Sequence, residues 1–449
     1  MTNVIKLRKG LNINLAGKAE MTKIRLRSNG KYSLQPDSFT GVIPKVIVKE
    51  GDRIKAGEAL FFDKNHPSVK FSSPVSGIVR QVVRGDRRKV LGIRVDADDA
   101  QEYVCFGKKD VANLSGRDVK DALLEAGLFG YINMLPYAVS ADPDTMPKAI
   151  FVSALRDMPL AADFEFELQG QEDDFQTGLT ALSKMAKTYL GIGVGQSADA
   201  LTKARNVEIN VFDGPCPAGN VGVHVNHVDP VNKGETVWTV EPSAVLFFGR
   251  LFNTGKVDLR RTIAFVGSEV EKPAYVDMLV GEELSTLLSN SIKTEKKVRI
   301  IDGNVLTGKQ TSKDGFLGAH SSEITVIPEG DDADEFAGWI MPRLNQYSSS
   351  RSYFSWLFRE RKYAPDARIK GGERHIIMSG EYDRVLPMDI YAEYLIKAII
   401  AGDIDKMEQL GIYEVSPEDF ALAEFVDSSK LELQRIVRSG LDMLRKENE

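Results

Sequence analysis

Between Ile5 and Asp96 the apolar residues come in short runs, among them Val46-Ile47-Val48, Ala59-Leu60-Phe61-Phe62, Val82-Val83 and Val90-Leu91, separated by glycine-bearing turns. Short β-branched runs of this kind predict an all-β unit. From about Asp110 the spacing changes: residues 118–126 and 174–190 read as helices and alternate with strand-like runs at 148–152 and 207–212. That alternation predicts a parallel, Rossmann-like α/β layer. A third unit, small and mixed α+β, starts near Val257, with strands expected at 261–266, 297–301 and 323–327 and a short helix at 282–288. After the acidic stretch 329–335 the chain reads as helical. In Ser416-Pro417-Glu418-Asp419 a capping serine, a first-turn proline and two acids mark a helix start. Leu433, Ile436, Val437, Gly440, Leu441 and Leu444 then trace one apolar stripe on a final helix. The expected modules are 1–103, 104–256, 257–330 and 331–449.

Composition narrows the function classes. With 449 residues, 43% hydrophobic and 27% charged, the chain is globular and large enough for several cores. A formal charge of −6 lacks the broad cationic surface of a sequence-independent nucleic-acid binder. Cys105 and Cys216 are the only cysteines, too few for a four-thiolate cluster or a disulfide framework, which points to reducing cytosol. Residues 1–15 lack the apolar core of a secretory signal. The most apolar stretch, 244–252, is broken by Gly249 and Arg250 and is far shorter than the ~20 residues a spanning helix needs. No Ser-His-Asp order, P-loop or zinc-protease motif appears, and the five histidines are scattered. Self-contained catalysis is not expected.

Four features carry candidate chemistry. Residues 48–60 followed by Ser73-Pro74-Val75-Ser76-Gly77 are similar to the two halves of a biotinyl or lipoyl domain, with Asp63-Lys64 where the modified lysine of such carriers sits. Asn65-His66-Pro67 lengthens that interval, so an unmodified structural barrel is the expectation. Gly191-Ile192-Gly193-Val194-Gly195 could cradle a phosphate, but it follows a predicted helix where a dinucleotide fingerprint follows a strand; a loop is expected. Cys216, His224, His227 and Asp229 are plausible metal ligands, yet 221–228 reads as extended, which would send the two histidines to opposite faces. Aromatics between basic residues at 351–362 suit a membrane interface, a partner groove or an ordinary amphipathic segment.

One resemblance covers residues 5–445. Gly214-Pro215-Cys216-Pro217-Ala218-Gly219-Asn220-Val221-Gly222-Val223-His224, then Thr236-Val237-Trp238-Thr239-Val240, resemble the A subunit of the sodium-translocating NADH:quinone oxidoreductases. So do Lys9-Gly10-Leu11-Asn12-Ile13, Pro159-Leu160-Ala161-Ala162-Asp163, Gly380-Glu381-Tyr382-Asp383-Arg384 and Gly402-Asp403-Ile404-Asp405. The family in turn is similar to the C subunit of the Rnf-type ferredoxin:NAD oxidoreductase. The resemblance implies a barrel-sandwich hybrid, a Rossmann-like domain without an intact nucleotide loop, a β-grasp domain of the soluble-ligand-binding (SLBB) kind and a helical, degenerate ferredoxin-like C-terminal domain.

It further implies a peripheral subunit on the cytoplasmic side of a bacterial inner membrane. Its partners would be the other members of a six-subunit pump, especially the membrane-embedded ones. FAD, FMN, riboflavin, an iron–sulfur cluster and NADH would be handled by those other subunits. In the Rnf relative a glycine-rich flavin loop falls at 127–136, where this chain has bulky side chains, and a cluster-binding tail falls at 425–434, where Asp427 stands in place of a thiolate. Cys216 also replaces a histidine usual in the family's motif, and 130–135 lacks the family's arginines. If the chain approaches quinone, Phe129, Tyr131, Asn133, Met134 and Tyr137 supply flat apolar walls with polar groups. A biotinyl or lipoyl carrier and a flavin- or NADH-binding dehydrogenase component remain the alternatives.

Overall fold

The computed structural model describes residues 3–289, 291–293, 297–331, 343–358 and 360–448. Arg359 and the 332–335 part of the acidic stretch therefore lie outside the described residues. Near the N-terminus a four-stranded sheet, in the order Lys31–Leu34, Val90–Ala97, Gly77–Arg84 and Arg53–Ile54, is joined by a three-stranded sheet of Pro44–Val46, Ala59–Asp63 and Lys70–Ser72. Phe61 stacks on Phe71 at 4.6 Å, and Leu60, Val79, Ile93 and Val95 are buried with them. The period of two places Val79, Ile93 and Val95 inward and leaves Arg80 and Arg94 outside, while the register shift between Ala59 and Phe61 lets both Leu60 and Phe61 be buried.

The central sheet has seven strands: Asn3–Lys6, Glu208–Asp213, Thr188–Gly193, Ala149–Ser153, Val237–Val240, Ile132–Leu135 and Val139–Ser140. The first five run parallel and the last two antiparallel. Near-continuous burial of Thr188–Gly193, Ala149–Ser153 and Val237–Val240 is what the centre of a parallel sheet covered on both faces requires. Helices Glu172–Met185 and Pro242–Thr254 cross at two glycines. A Cβ on Gly249 would stand 1.7 Å from the Asp174 carbonyl oxygen, and one on Gly178 would stand 2.1 Å from that of Val245. The apolar stretch around 244–252 is thus a buried core helix, and among the described residues no helix is long and apolar enough to cross a membrane.

A six-stranded sheet follows, in the order Lys309–Thr311, Val298–Asp302, Glu323–Pro328, Arg260–Val266, Ala274–Leu279 and Lys23–Ile24. The C-terminal helices Ala392–Ala401, Ile404–Gln409, Ala421–Val426 and Leu433–Asn448 bury Leu395, Ile396, Val437, Leu441 and Leu444 in one cluster. The stripe expected on the last helix faces that core, and Ser416 and Asp419 form the reciprocal cap.

Several sequence expectations need correcting. Ile5, placed with the all-β unit, extends the central sheet beside Phe212, and Lys23–Ile24 edges the six-stranded sheet. The helix expected at 174–190 ends at Met185, because Thr188–Gly193 is a buried central strand. The glycine run therefore begins inside a strand and is not a loop after a helix. Val221–Val228 is a helix, not an extended segment. Its valines suit a strand by propensity, but burial of Val223 and Val225 against two neighbouring cores overrides that weak preference.

Candidate functional site

In the central sheet, Thr188–Gly193 and Glu208–Asp213 lie to one side of Ala149–Ser153, and Val237–Val240 returns on the other. The strand order reverses there, and at such a switch point the carboxyl ends of the strands leave a crevice. A cavity of about 600 Å³ occupies it, closed by Ala319-His320 of the six-stranded unit and by Glu418 of the C-terminal unit.

Its walls are charged and mostly paired. Arg156, just past Ser153, donates to Glu167 Oε2 at 2.8 Å and to Ser243 Oγ at 2.8 Å. Glu241, at the start of Pro242–Thr254, meets His320 Nδ1 at 3.3 Å and accepts from Arg261 Nη2 at 3.2 Å. Burial opposes its ionisation, but His320 and Arg261 pull its carboxyl down to about 2. Arg261 also donates to the Ala319 carbonyl at 2.6 Å within its own unit, so its bond to Glu241 is the one that ties the six-stranded unit to the central sheet. Glu418 lines the cavity, and burial together with Asp419 and Glu241 pushes its carboxyl well above the usual range. These groups escaped sequence reasoning. The available signal was position: Arg156 and Glu241 each follow closely on a strand of the parallel layer.

Two helix starts that would receive phosphates hold carboxylates of the chain itself. Asp157 Oδ2 accepts from Gly219 N at 3.0 Å beside the start of Val221–Val228. Burial pushes Asp157 up to about 6, and its Oδ1 is shielded from solvent without a protein partner. Beyond the glycine run, Glu165 Oε1 accepts from Ser197 N at 2.7 Å and also from Ala198 N, just before the short helix Asp199–Thr202. An anion subsite built from backbone N–H groups is filled when a carboxylate already occupies it. The residues present do not fit a dinucleotide or flavin phosphate at either position.

The structure spreads the other sequence candidates. Phe129 is fully buried edge-on to Trp238 at 5.4 Å, and Tyr131 is enclosed by Phe39, Phe247 and His320 at 5.2–5.6 Å. Asn133 lines the cavity, while Met134 and Tyr137 are half-buried. Tyr137 and Ala138 adopt left-handed backbone, φ 84° and 47°, and their carbonyls accept from Arg438 Nη2 at 2.6 Å and Nη1 at 3.0 Å. Asp427 is buried, and its carboxylate accepts from Ser429 N at 3.0 Å and Leu431 N at 2.8 Å, so it closes a turn of its own backbone. Lys64 is exposed beyond Ala59–Asp63, and its backbone N–H donates to the Ile43 carbonyl at 2.8 Å.

Cys216, His224 and His227 are not gathered around a common point. Cys216 Sγ lies 3.7 Å from Met158 Sδ, and burial pushes its thiol up. His224 stacks on Phe212 at 3.7 Å with Nε2 against the Ala218 carbonyl at 2.8 Å, and burial pushes it down to about 3. His227 Nδ1 bonds the Val223 carbonyl at 3.0 Å, and Asp229 pairs with Lys148 at 2.9 Å. Among the described residues the donors that do converge are His66, Asp142 and Asp144, within 4.8 Å of one another. His66 Nδ1 faces Asp142 there at 3.4 Å.

Comparison with known proteins matches three family models: "NqrA N-terminal barrel-sandwich hybrid domain" over residues 5–98, "NqrA second alpha/beta domain" over 114–257 and "NQRA C-terminal domain", an SLBB model, over 262–313. The chain is 34% identical over 448 residues to the A subunit of the Na(+)-translocating NADH-quinone reductase of Neisseria meningitidis serogroup B (strain ATCC BAA-335 / MC58), covering 99% of this chain and 100% of that one. It is 34% identical over 451 residues to the protein so named in Yersinia pestis bv. Antiqua (strain Angola), and 34% over 450 residues to that of Haemophilus influenzae (strain PittGG), with the same coverage.

Proposed function

The chain belongs to the family formed by the A subunit of Na(+)-translocating NADH-quinone reductases, and from that premise we propose that its own part in the pump is assembly beside the quinone-reducing step. It is a subunit of the sodium-pumping NADH:quinone oxidoreductase and takes part in EC 7.2.1.1 as a member of the complex. Its partners are the other subunits. The finer reading puts it on the cytoplasmic side of the inner membrane, against the membrane-embedded subunits. FAD, FMN, riboflavin, the iron–sulfur cluster and NADH are then handled elsewhere in the complex.

The single observation that supports this division is the occupation of both phosphate positions by Asp157 and Glu165. A Rossmann-like layer whose anion sites are filled by its own carboxylates keeps the fold and gives up the nucleotide. A degenerate ferredoxin-like tail with Asp427 bonded to its own backbone keeps a turn and gives up a cluster. We assign quinone contact to the reachable part of residues 129–137, namely Asn133, Met134 and Tyr137, with Phe129 and Tyr131 as the packed wall behind them. The module boundaries near 103, 256 and 330 are retained in the same reading.

The test is affinity purification of the tagged chain from native membranes, with the co-purifying subunits identified by mass spectrometry and NADH binding to the isolated chain followed by calorimetry. Recovery with the other five subunits and no saturable NADH binding is the expected result. Recovery alone, or micromolar NADH binding, overturns the assignment. Intact mass distinguishes the carrier alternative, which requires a covalent group on Lys64.

A further inference from the structure

We propose that residues 351–358, with Lys362 beyond them, form an aromatic tip that seats the protein on an anionic lipid surface. Phe354, Trp356, Leu357 and Phe358 are 43%, 47%, 55% and 45% exposed. Four large apolar side chains within five positions, three on the short turn Phe354–Leu357 and Phe358 directly after it, all open to water, are not a core that failed to close.

The base of the turn is pinned. Ser355 is buried, and its Oγ accepts from Ser348 N at 3.0 Å. Tyr363 is buried, and its N–H donates to the Asn14 carbonyl at 2.9 Å while its carbonyl accepts from Ala16 N at 2.8 Å. The tip is therefore held out from a fixed root. Large amphipathic rings with flanking cations are the composition that partitions into the headgroup layer.

Charge selects the kind of surface. Residues 351–374 hold seven lysines and arginines against three acids, in a chain whose formal charge is −6. Arg351 lies over the Trp356 ring at 5.6 Å, and Lys362 and Lys370 are exposed. An anionic bilayer attracts this end and repels the remainder, which orients the whole molecule with the tip down. The cations lie before and after the aromatics and along a further stretch of chain. That spread suits a continuous sheet of headgroups better than one protein groove.

This inference rests on the reading that the chain works at a membrane, and its test separates the two. Purified full-length protein is floated with vesicles of phosphatidylcholine alone and of phosphatidylcholine with phosphatidylglycerol. Binding to the anionic vesicles only is expected, lost by about tenfold or more in raised salt and in the Trp356→Ser/Leu357→Ser variant. Lys362→Glu weakens it in the same direction, with the thermal midpoint unchanged in both variants because Trp356, Leu357 and Lys362 are exposed. Equal partition to both vesicle types, no partition to either, or wild-type binding by the variants overturns the proposal. Pull-down of the same variants reports on complex membership independently. Subunits that still co-purify while vesicle binding is absent leave membership standing and the lipid contact refuted.

Discussion

The Glu165 carboxylate accepts the Ser197 backbone N–H at 2.7 Å, so the turn beyond the glycine run of the central sheet carries its own anion. Removing it leaves two N–H groups without their acceptor, that of exposed Ser197 and that of half-buried Ala198. Glu165→Ala is expected to cost about 0.5–1.5 kcal/mol, the net worth of a hydrogen bond whose donor water can still reach. Sulfate or phosphate should raise the melting temperature of the variant and leave the wild type nearly unmoved. Equal anion response of the two proteins in thermal denaturation would show that the carboxylate does not hold the site.

Gly249 and Asp174 set the closest approach of the two helices on the central sheet, 1.7 Å from a would-be Cβ to a backbone oxygen. Neither backbone can yield without opening the core shared by Leu179 and Val245. Gly249→Ala should lose about 3 kcal/mol in chemical denaturation, at the upper end of overpacking costs. Gly195→Ala, which meets open space, should change stability by less than about 0.5 kcal/mol.

Element types are legible in the sequence where period-two and helical patterns hold over long stretches, as in 77–97 and 433–444. What the sequence hides follows from distance along the chain. Nothing near Asn3–Lys6 announces a partner at Asn210–Asp213, since strand pairing is decided by the far strand. The helix Val221–Val228 reads as extended because β-branched composition looks so locally, while its burial on both faces is a tertiary fact. The cavity is invisible for the same reason: Arg156, Glu241, His320 and Glu418 come from four separate segments. The context of the glycine run turns on where its preceding helix ends, and that boundary reverses it from loop to strand.

His224 is buried with its ring on Phe212, and its folded pKa lies near 3 against an ordinary 6.5. Burial disfavours the cation, with His227 nearby acting in the same direction. The unfolded chain therefore binds a proton below pH 6.5 that the folded chain refuses until about pH 3. The stability present above pH 6.5 should fall by about 1.4 kcal/mol per pH unit on acidification through that window. Asp157, raised by burial, works in the opposite sense between about 4 and 6, so the readout is the difference between wild type and His224→Gln. That difference should shrink steadily from pH 6.5 to pH 5 in urea denaturation; a pH-independent gap would mean the histidine is not neutral in the fold.

Arg438 holds two left-handed residues in place through the carbonyls of Tyr137 and Ala138. Arg438→Met leaves both acceptors without their charged donor, and a loss of about 2–3 kcal/mol is expected. Hydrogen exchange should then quicken both in the last helix and around residue 137. Quickening confined to the helix would show that the two elements are not coupled through this side chain.

Residues 129–137 divide into a wall and a reachable part, and the two should respond differently. Tyr131 is enclosed by three rings, so Tyr131→Ala should cost about 3–5 kcal/mol, the range for an aromatic truncated in a core. Tyr131→Phe keeps the ring and should restore most of that stability. Asn133 lines the cavity and its neighbours Met134 and Tyr137 are half-buried, so Asn133→Leu and Tyr137→Ala should cost less than about 1.5 kcal/mol. If the reachable part meets quinone, a photoreactive quinone should label it in the intact complex, and those two variants should shift inhibitor sensitivity without a matching loss of stability. Labelling confined to other subunits, with unchanged inhibitor sensitivity in Asn133→Leu and Tyr137→Ala, would make the segment a packing element alone, because a buried plug is read by stability and a contact by the ligand.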